Sequence, residues 1–134
     1  MRVVIAGLGQ TASLLASKLA EEDHDVTVID WNPDAFDVLS DDFPGHLVEG
    51  NALDTETLRR AEIDQADVFV AATEGDNRNI MAAQIASYVF KVPKVVTRIK
   101  DPIRADIYRG MGLEVECRTS AGVQIVLDAV EQAG

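Results

Sequence analysis

Two glycines and one aspartate carry the most specific chemistry in this sequence. Gly7-Leu8-Gly9-Gln10-Thr11-Ala12 has the pattern G-x-G-x-x-A, and Asp30 follows 21 residues after Gly9. The first glycine permits a tight turn, the second lets backbone approach a pyrophosphate, and the small Ala12 allows a helix to pack closely on a strand. Unpaired N–H groups at the start of that helix then face phosphate oxygens. A carboxylate at Asp30 accepts hydrogen bonds from ribose hydroxyls and repels a 2′-phosphate, which favours NAD over NADP. Plainer uses exist for the same residues. Glycines mark ordinary strand-to-helix turns, and Asp30 can cap the turn that begins at Asn32-Pro33.

Other residues gather at the same level of the chain pattern. Trp31 stands beside Asp30, placed either to lie along an adenine or to pack on its own helix. Gly50-Asn51-Ala52 offers a close approach and an amide for the adenine edge. Ala71-Ala72-Thr73-Glu74-Gly75-Asp76 leaves room for a ligand, with Asp76 expected to cap the next helix. Arg98 is a cation near the end of an apolar run, and a buried cation needs a partner. That partner is either an acid such as Asp101 or a pyrophosphate.

Catalytic groups are missing from these positions. His24 and His46 both precede apolar runs rather than follow them. Tyr88 and Lys91 are spaced Y-x-x-K, one residue short of the short-chain dehydrogenase pair. Cys117 is the only cysteine, has no second thiol, and reads as a packing residue. No metal-ligand spacing occurs, and no G-x-x-x-x-G-K-[ST] loop. The reading is a binding site with no catalytic residues and no metal.

These residues need an element pattern that brings them together, and the sequence supplies one. Val3-Val4-Ile5-Ala6, Val26-Thr27-Val28-Ile29, Leu47-Val48, Val68 to Ala72 and Val95 to Ile99 are short apolar runs, as strands buried on both faces require. Leu113 to Glu116 alternates like an edge strand. Helical stretches lie between them: Gln10 to Glu22, one opened by Pro33, Thr55 to Ala61 behind Asp54, Asn79 to Phe90, one opened by Asp101-Pro102, and a last from Ser120 to Gln132. Strict β-α alternation predicts a doubly wound, Rossmann-like α/β fold with a parallel six-stranded sheet in the order 3-2-1-4-5-6. Ligands of such sheets bind beyond the carboxyl ends of the strands. The glycine loop, Asp30, Asn51 and Thr73 all follow strands.

Composition narrows the function class. The chain has 134 residues, 23 acidic and 12 basic, for a formal net charge of −11. That length is one domain. The acid excess leaves no basic footprint for nucleic acid or anionic lipid. No run approaches the ~20 apolar residues of a membrane span, and the opening stretch is too short for a signal-peptide core.

The glycine loop, Asp30, Val48-Glu49-Gly50-Asn51-Ala52, Thr73, the run Asp76-Asn77-Arg78-Asn79-Ile80-Met81-Ala82-Ala83-Gln84 and the run Val96-Thr97-Arg98-Ile99-Lys100-Asp101-Pro102 resemble the TrkA/KTN, or RCK N-terminal, nucleotide-binding domains. The T-x-x-D-x-x-N and R-I-x-D-P segments are more specific than the glycine loop, and the similarity runs through residues 1–134. The resemblance implies a cytoplasmic regulatory domain, held at the inner face of the membrane by a potassium transporter or channel subunit. It implies NAD(H), or ATP/ADP or AMP, as ligand. It places Gly7, Leu8, Gly9, Gln10 and Thr11 at the pyrophosphate and Asp30 at the adenosine ribose. Asn51 and Ala52 fall near the adenine, Thr73 and Glu74 near the second ribose, and Arg98 at the phosphates. Ala12 and Asn51 depart from the glycine and aspartate common in that family. Relatives usually continue into a C-terminal ligand-binding domain that this sequence lacks. The alternative is the cofactor half of an NAD-dependent dehydrogenase, which the two specific segments disfavour.

The last helix carries a further expectation. On a helical wheel Val123, Val126, Leu127 and Val130 make one apolar face, while Ile125, Ala129, Ala121 and Gly122 make another. One face suffices to cover the edge of its own sheet. The second predicts a homodimer contact, and the resemblance implies that this C-terminal segment is a crossover helix between paired domains, which assemble into rings.

Overall fold

Apolar runs without alternation become strands with both faces buried. A computed structural model describes residues 1–134. Its strands are β1 (Arg2–Ala6), β2 (Asp25–Asp30), β3 (His46–Glu49), β4 (Val68–Ala71), β5 (Lys94–Arg98) and β6 (Glu114–Glu116). They form one sheet in the order β3-β2-β1-β4-β5-β6, every neighbouring pair parallel. The doubly wound, Rossmann-like fold is therefore as the sequence predicts.

Side chains alternate across each strand, so β1 feeds two cores at once. Val3 and Ile5 join Ala12 and Ala16 of α1 (Gln10–Glu21), together with Val26 and Val28 of β2. Val4 and Ala6 face the other way, into Phe69, Ile29 and Leu58 of α2 (Thr55–Arg60). Ala82 and Ala83 of α3 (Asp76–Gln84) close that second layer. The alanines let the helices approach the sheet closely. A smaller cluster of Ile80, Ile99, Ala105 and Cys117 ties α3 to α4 (Pro102–Gly110). Cys117 is thus a buried packing residue, as expected.

Three local features differ from expectation. The segment opened by Pro33 is a 3-10 helix, Pro33–Val38, capped by Asn32, whose side chain accepts from the Asp34 N–H. Asp76 does not cap α3. The cap position is Gly75, and the Asp76 carboxylate instead accepts from the N–H groups of Lys100 (2.8 Å) and Asp101 (3.2 Å). The end of α3 widens into a π-helical turn, Ile85–Val89, and the chain leaves through Lys91 at φ 58°.

The last helix, α5 (Arg118–Gln132), corrects the expectation that one of its faces covers the sheet edge. No residue of α5 is buried, with Ile125 70% and Val126 62% exposed. The face of β4, β5 and β6 beside α1 is left as an open apolar groove of about 330 Å³. Helix and groove are two bare apolar surfaces of one chain. No helix of the chain is long and apolar enough to cross a membrane.

Candidate functional site

A cleft of about 250 Å³ opens where the strand order reverses, at the carboxyl ends of β1, β2, β3 and β4. This is the position at which open α/β sheets bind ligands. Its wall includes Gly7, Leu8, Gly9, Asp30, Trp31, Asn51, Ala52, Thr73, Glu74 and Arg78.

Each side of the cleft follows from local backbone requirements. Gly7 sits at φ +96°, and a Cβ there would lie 2.6 Å from the Ala72 carbonyl oxygen. Only glycine fits between β1 and β4 at this point. Gly9 has the N-cap position of α1 with no side chain capping the helix, so the first N–H groups of α1 remain for a ligand. Asp30 is fixed by two bonds. Its Oδ2 accepts from the Leu8 N–H at 2.9 Å and its Oδ1 from the Asn32 N–H at 2.9 Å. The carboxylate therefore holds the glycine loop against β2 and keeps spare acceptor capacity towards the cleft. Trp31 lines the mouth and is 68% exposed. Asn51 Oδ1 accepts from the Leu53 N–H, which leaves its amide NH₂ as a donor.

The β4 side is held by Asn79, which is 1% exposed. Its Oδ1 accepts from the Thr73 N–H (2.8 Å) and Thr73 Oγ1 (2.6 Å). Its Nδ2 donates to the carbonyls of Thr73 and Arg98, both at 3.0 Å. One buried amide thus locks the end of β4 to the end of β5. Glu74 reaches back over the glycine loop, with Oε1 3.6 Å from where a Cβ on Gly9 would be. Lys100 Nζ pairs with its Oε2 at 3.2 Å.

Three sequence-derived residues stand outside this cleft. Gln10 and Thr11 belong to the first turn of α1, and Thr11 faces the apolar groove. Arg98 also turns into that groove, because it shares the β5 face of Val96. It is 9% exposed, its Nε lies 3.5 Å from Glu116 Oε2, and its Nη1 donates to the Ala72 carbonyl at 3.4 Å. Nε and Oε2 make no hydrogen bond, so the contact is an ion pair alone. Burial holds the Arg98 guanidinium below its ordinary pKa, Arg118 pushes it the same way, and Glu116 pulls it back up. Of the two partners open at the sequence level, the structure supplies an acid. It is Glu116, while Asp101 caps α4. Arg78 also lies on the cleft wall, and spacing in the sequence does not mark it. Its signal is a cation in the first turn of a helix, where the dipole disfavours one. His24 and His46 lie at the amino ends of β2 and β3, away from the cleft.

The comparisons with known proteins agree with this architecture. A family model described as "TrkA-N domain" matches residues 3–117. The Trk system potassium uptake protein TrkA of Streptomyces coelicolor is 43% identical over 113 residues, 84% of this chain and 51% of that protein. The chain spans about half the length, or less, of the curated relatives it matches. In fold it is similar to the AMP-bound Kef CTD of Shewanella denitrificans, with a TM-score of 0.80 at 21% identity, covering 100% of this chain and 82% of that one. It is also similar to the NAD-bound GsuK channel, with a TM-score of 0.72 at 21% identity, covering 85% of this chain and 21% of that one. The family model runs from β1 to the residue that precedes α5, and the relatives share the sequence between: the chain belongs to the TrkA-N domain family.

Proposed function

We propose that the cleft binds an adenine nucleotide, NAD(H) before ATP, ADP or AMP, and that the domain acts without turnover as a cytoplasmic sensor regulating a membrane potassium transporter or channel. The observation that carries the ligand reading is the Asp30 carboxylate, tied to the Leu8 N–H at the lip of an uncapped helix start. Adenosine would lie over the ends of β2 and β3, with its ribose on Asp30 and its first phosphate on the glycine loop. The names of the relatives support the potassium transport role, and the AMP-bound and NAD-bound neighbours support the ligand class. Calorimetry with AMP, ADP, ATP, NAD, NADH and NADP tests the reading. Asp30→Ala is expected to weaken NAD binding by about 1–3 kcal/mol, the scale of a charge-assisted hydrogen bond. Equal affinity of the wild type for NAD and NADP would remove Asp30 from the ribose.

We further propose that two copies pair through α5. The bare helix carries Val123, Ile125, Val126, Leu127 and Val130, and the apolar groove beside α1 offers a surface of the same character. Burying such surfaces against a second copy satisfies both at once. A ring needs a second contact, and the exposed row of Ile103 and Ile107 on α4 with Met111 at its C-cap supplies a candidate. Nucleotides that favour one arrangement of the pair would shift its geometry and so reach the transporter. In sedimentation, the wild type is expected to be a dimer at tens of micromolar, and Ile125→Asp with Val126→Asp a monomer. A monomeric wild type, or an undiminished dimer in the double variant, overturns this interface.

A further inference from the structure

We infer that Arg78 is the cation that reads ligand charge beyond the first phosphate, making the site favour nucleotides that extend past AMP. The inference rests on the nucleotide reading of the cleft. Sheet order sets the direction: β2 and β3 lie on one side of the glycine loop and β4 on the other. A ligand with adenosine on Asp30 and its first phosphate at Gly9 must continue towards the end of β4, where Thr73, Glu74 and Arg78 form the wall.

The charges on that wall leave one residue for the task. Asp30 and Glu74 are acids, and Arg78 is the only cation lining the cleft. Lys100 is committed to Glu74, both to its carboxylate at 3.2 Å and to its backbone carbonyl at 2.9 Å. Arg98 faces the apolar groove and pairs with Glu116. Arg78 is exposed, and its guanidinium makes no hydrogen bond or ion pair within the chain. The chain carries a net charge of −11, so its general field repels a polyanionic ligand. A cation where the phosphates run would offset that repulsion locally.

Local structure gives Arg78 no reward for its position. It follows Asp76 and Asn77 in the first turn of α3, where the helix dipole favours acids and disfavours cations. Nothing in the local structure compensates for that placement, a situation common at functional positions. A guanidinium matches phosphate oxygens bidentately, whereas a lysine acts only as a point charge.

Calorimetry of the full chain with AMP, ADP and NAD, for wild type, Arg78→Ala and Arg78→Lys, tests this at two salt concentrations. ADP and NAD are expected to bind Arg78→Ala about tenfold more weakly than wild type, with AMP unchanged within about twofold. Arg78→Lys should recover part of the loss, and the wild-type preference for ADP over AMP should shrink with salt. ADP binding unchanged in Arg78→Ala, while AMP and ADP both bind the wild type, overturns the role of Arg78 alone. A parallel loss of AMP binding overturns it too, because a general loss is not charge reading beyond the first phosphate. Failure of AMP and ADP alike to bind the wild type overturns the nucleotide reading with it.

Discussion

Gly7→Ala is expected to destabilise the domain by about 4 kcal/mol or more, enough to unfold a large fraction of a marginally stable chain. Two costs combine. An alanine at φ +96° is strained by about 1–3 kcal/mol. Its methyl would also lie 2.6 Å from the Ala72 carbonyl oxygen and 2.7 Å from the Thr73 Cα, both main-chain atoms. Relief requires moving β4 away from β1, and Ala72 N–H donates to the Ala6 carbonyl at 2.8 Å in that same ladder. Gly9→Ala provides the contrast. Its methyl would meet only Glu74 Oε1 at 3.6 Å, so the fold survives while the surface offered to a phosphate is covered. Urea unfolding of the two variants should separate them clearly. A Gly7→Ala midpoint close to that of wild type would mean that the β1–β4 spacing yields more easily than the distances imply.

Asn79→Ala is expected to cost about 3 kcal/mol or more. The side chain is buried and makes four hydrogen bonds. Its removal leaves the Thr73 N–H and the Arg98 carbonyl without those partners, at about 1–3 kcal/mol each. Asn79→Asp keeps the acceptor, loses both donations and buries a carboxylate, so it should be at least as damaging. Chemical denaturation measures both. A loss under 1 kcal/mol for Asn79→Ala would show that water replaces the amide without penalty.

The parts of this molecule legible from sequence are those where the backbone dictates the residue. β1 reads as a continuous apolar run because Val3 and Ile5 fill one layer and Val4 and Ala6 the other. Gly7 and Asp30 are legible as a pair, because a glycine ending β1 meets a backbone requirement there and a carboxylate ending β2 lies within reach of the same loop. Arg98 is legible only in part. Its position near the end of β5 follows from the apolar run, but the face it takes depends on strand parity, which sends it with Val96 into the groove. Asp76 illustrates a different difficulty. An acid at a helix start reads as a cap, yet its partners are N–H groups of Lys100 and Asp101, on a segment brought near only by the sheet. The place of α5 was illegible for a third reason. Two apolar faces state that partners are needed, and the pattern does not say which surface provides them.

The central position of β1 has a consequence for synthesis of the chain. β1 pairs on one side with β2, which follows soon after it, and on the other with β4. Arg2 and its partner Asp67, at the start of that second pairing, are 65 residues apart. At translation rates of roughly 5–20 residues per second, that edge of β1 waits roughly 3–13 s for its neighbour. During that interval Val3, Val4 and Ile5 present an open, apolar template on the nascent chain. Early docking of α1, through Ala12 and Ala16, shields one face of that template but not its edge. The segment from Arg2 to Ala6 is therefore where binding by a holdase chaperone would matter most, and its exposure ends when β4 arrives.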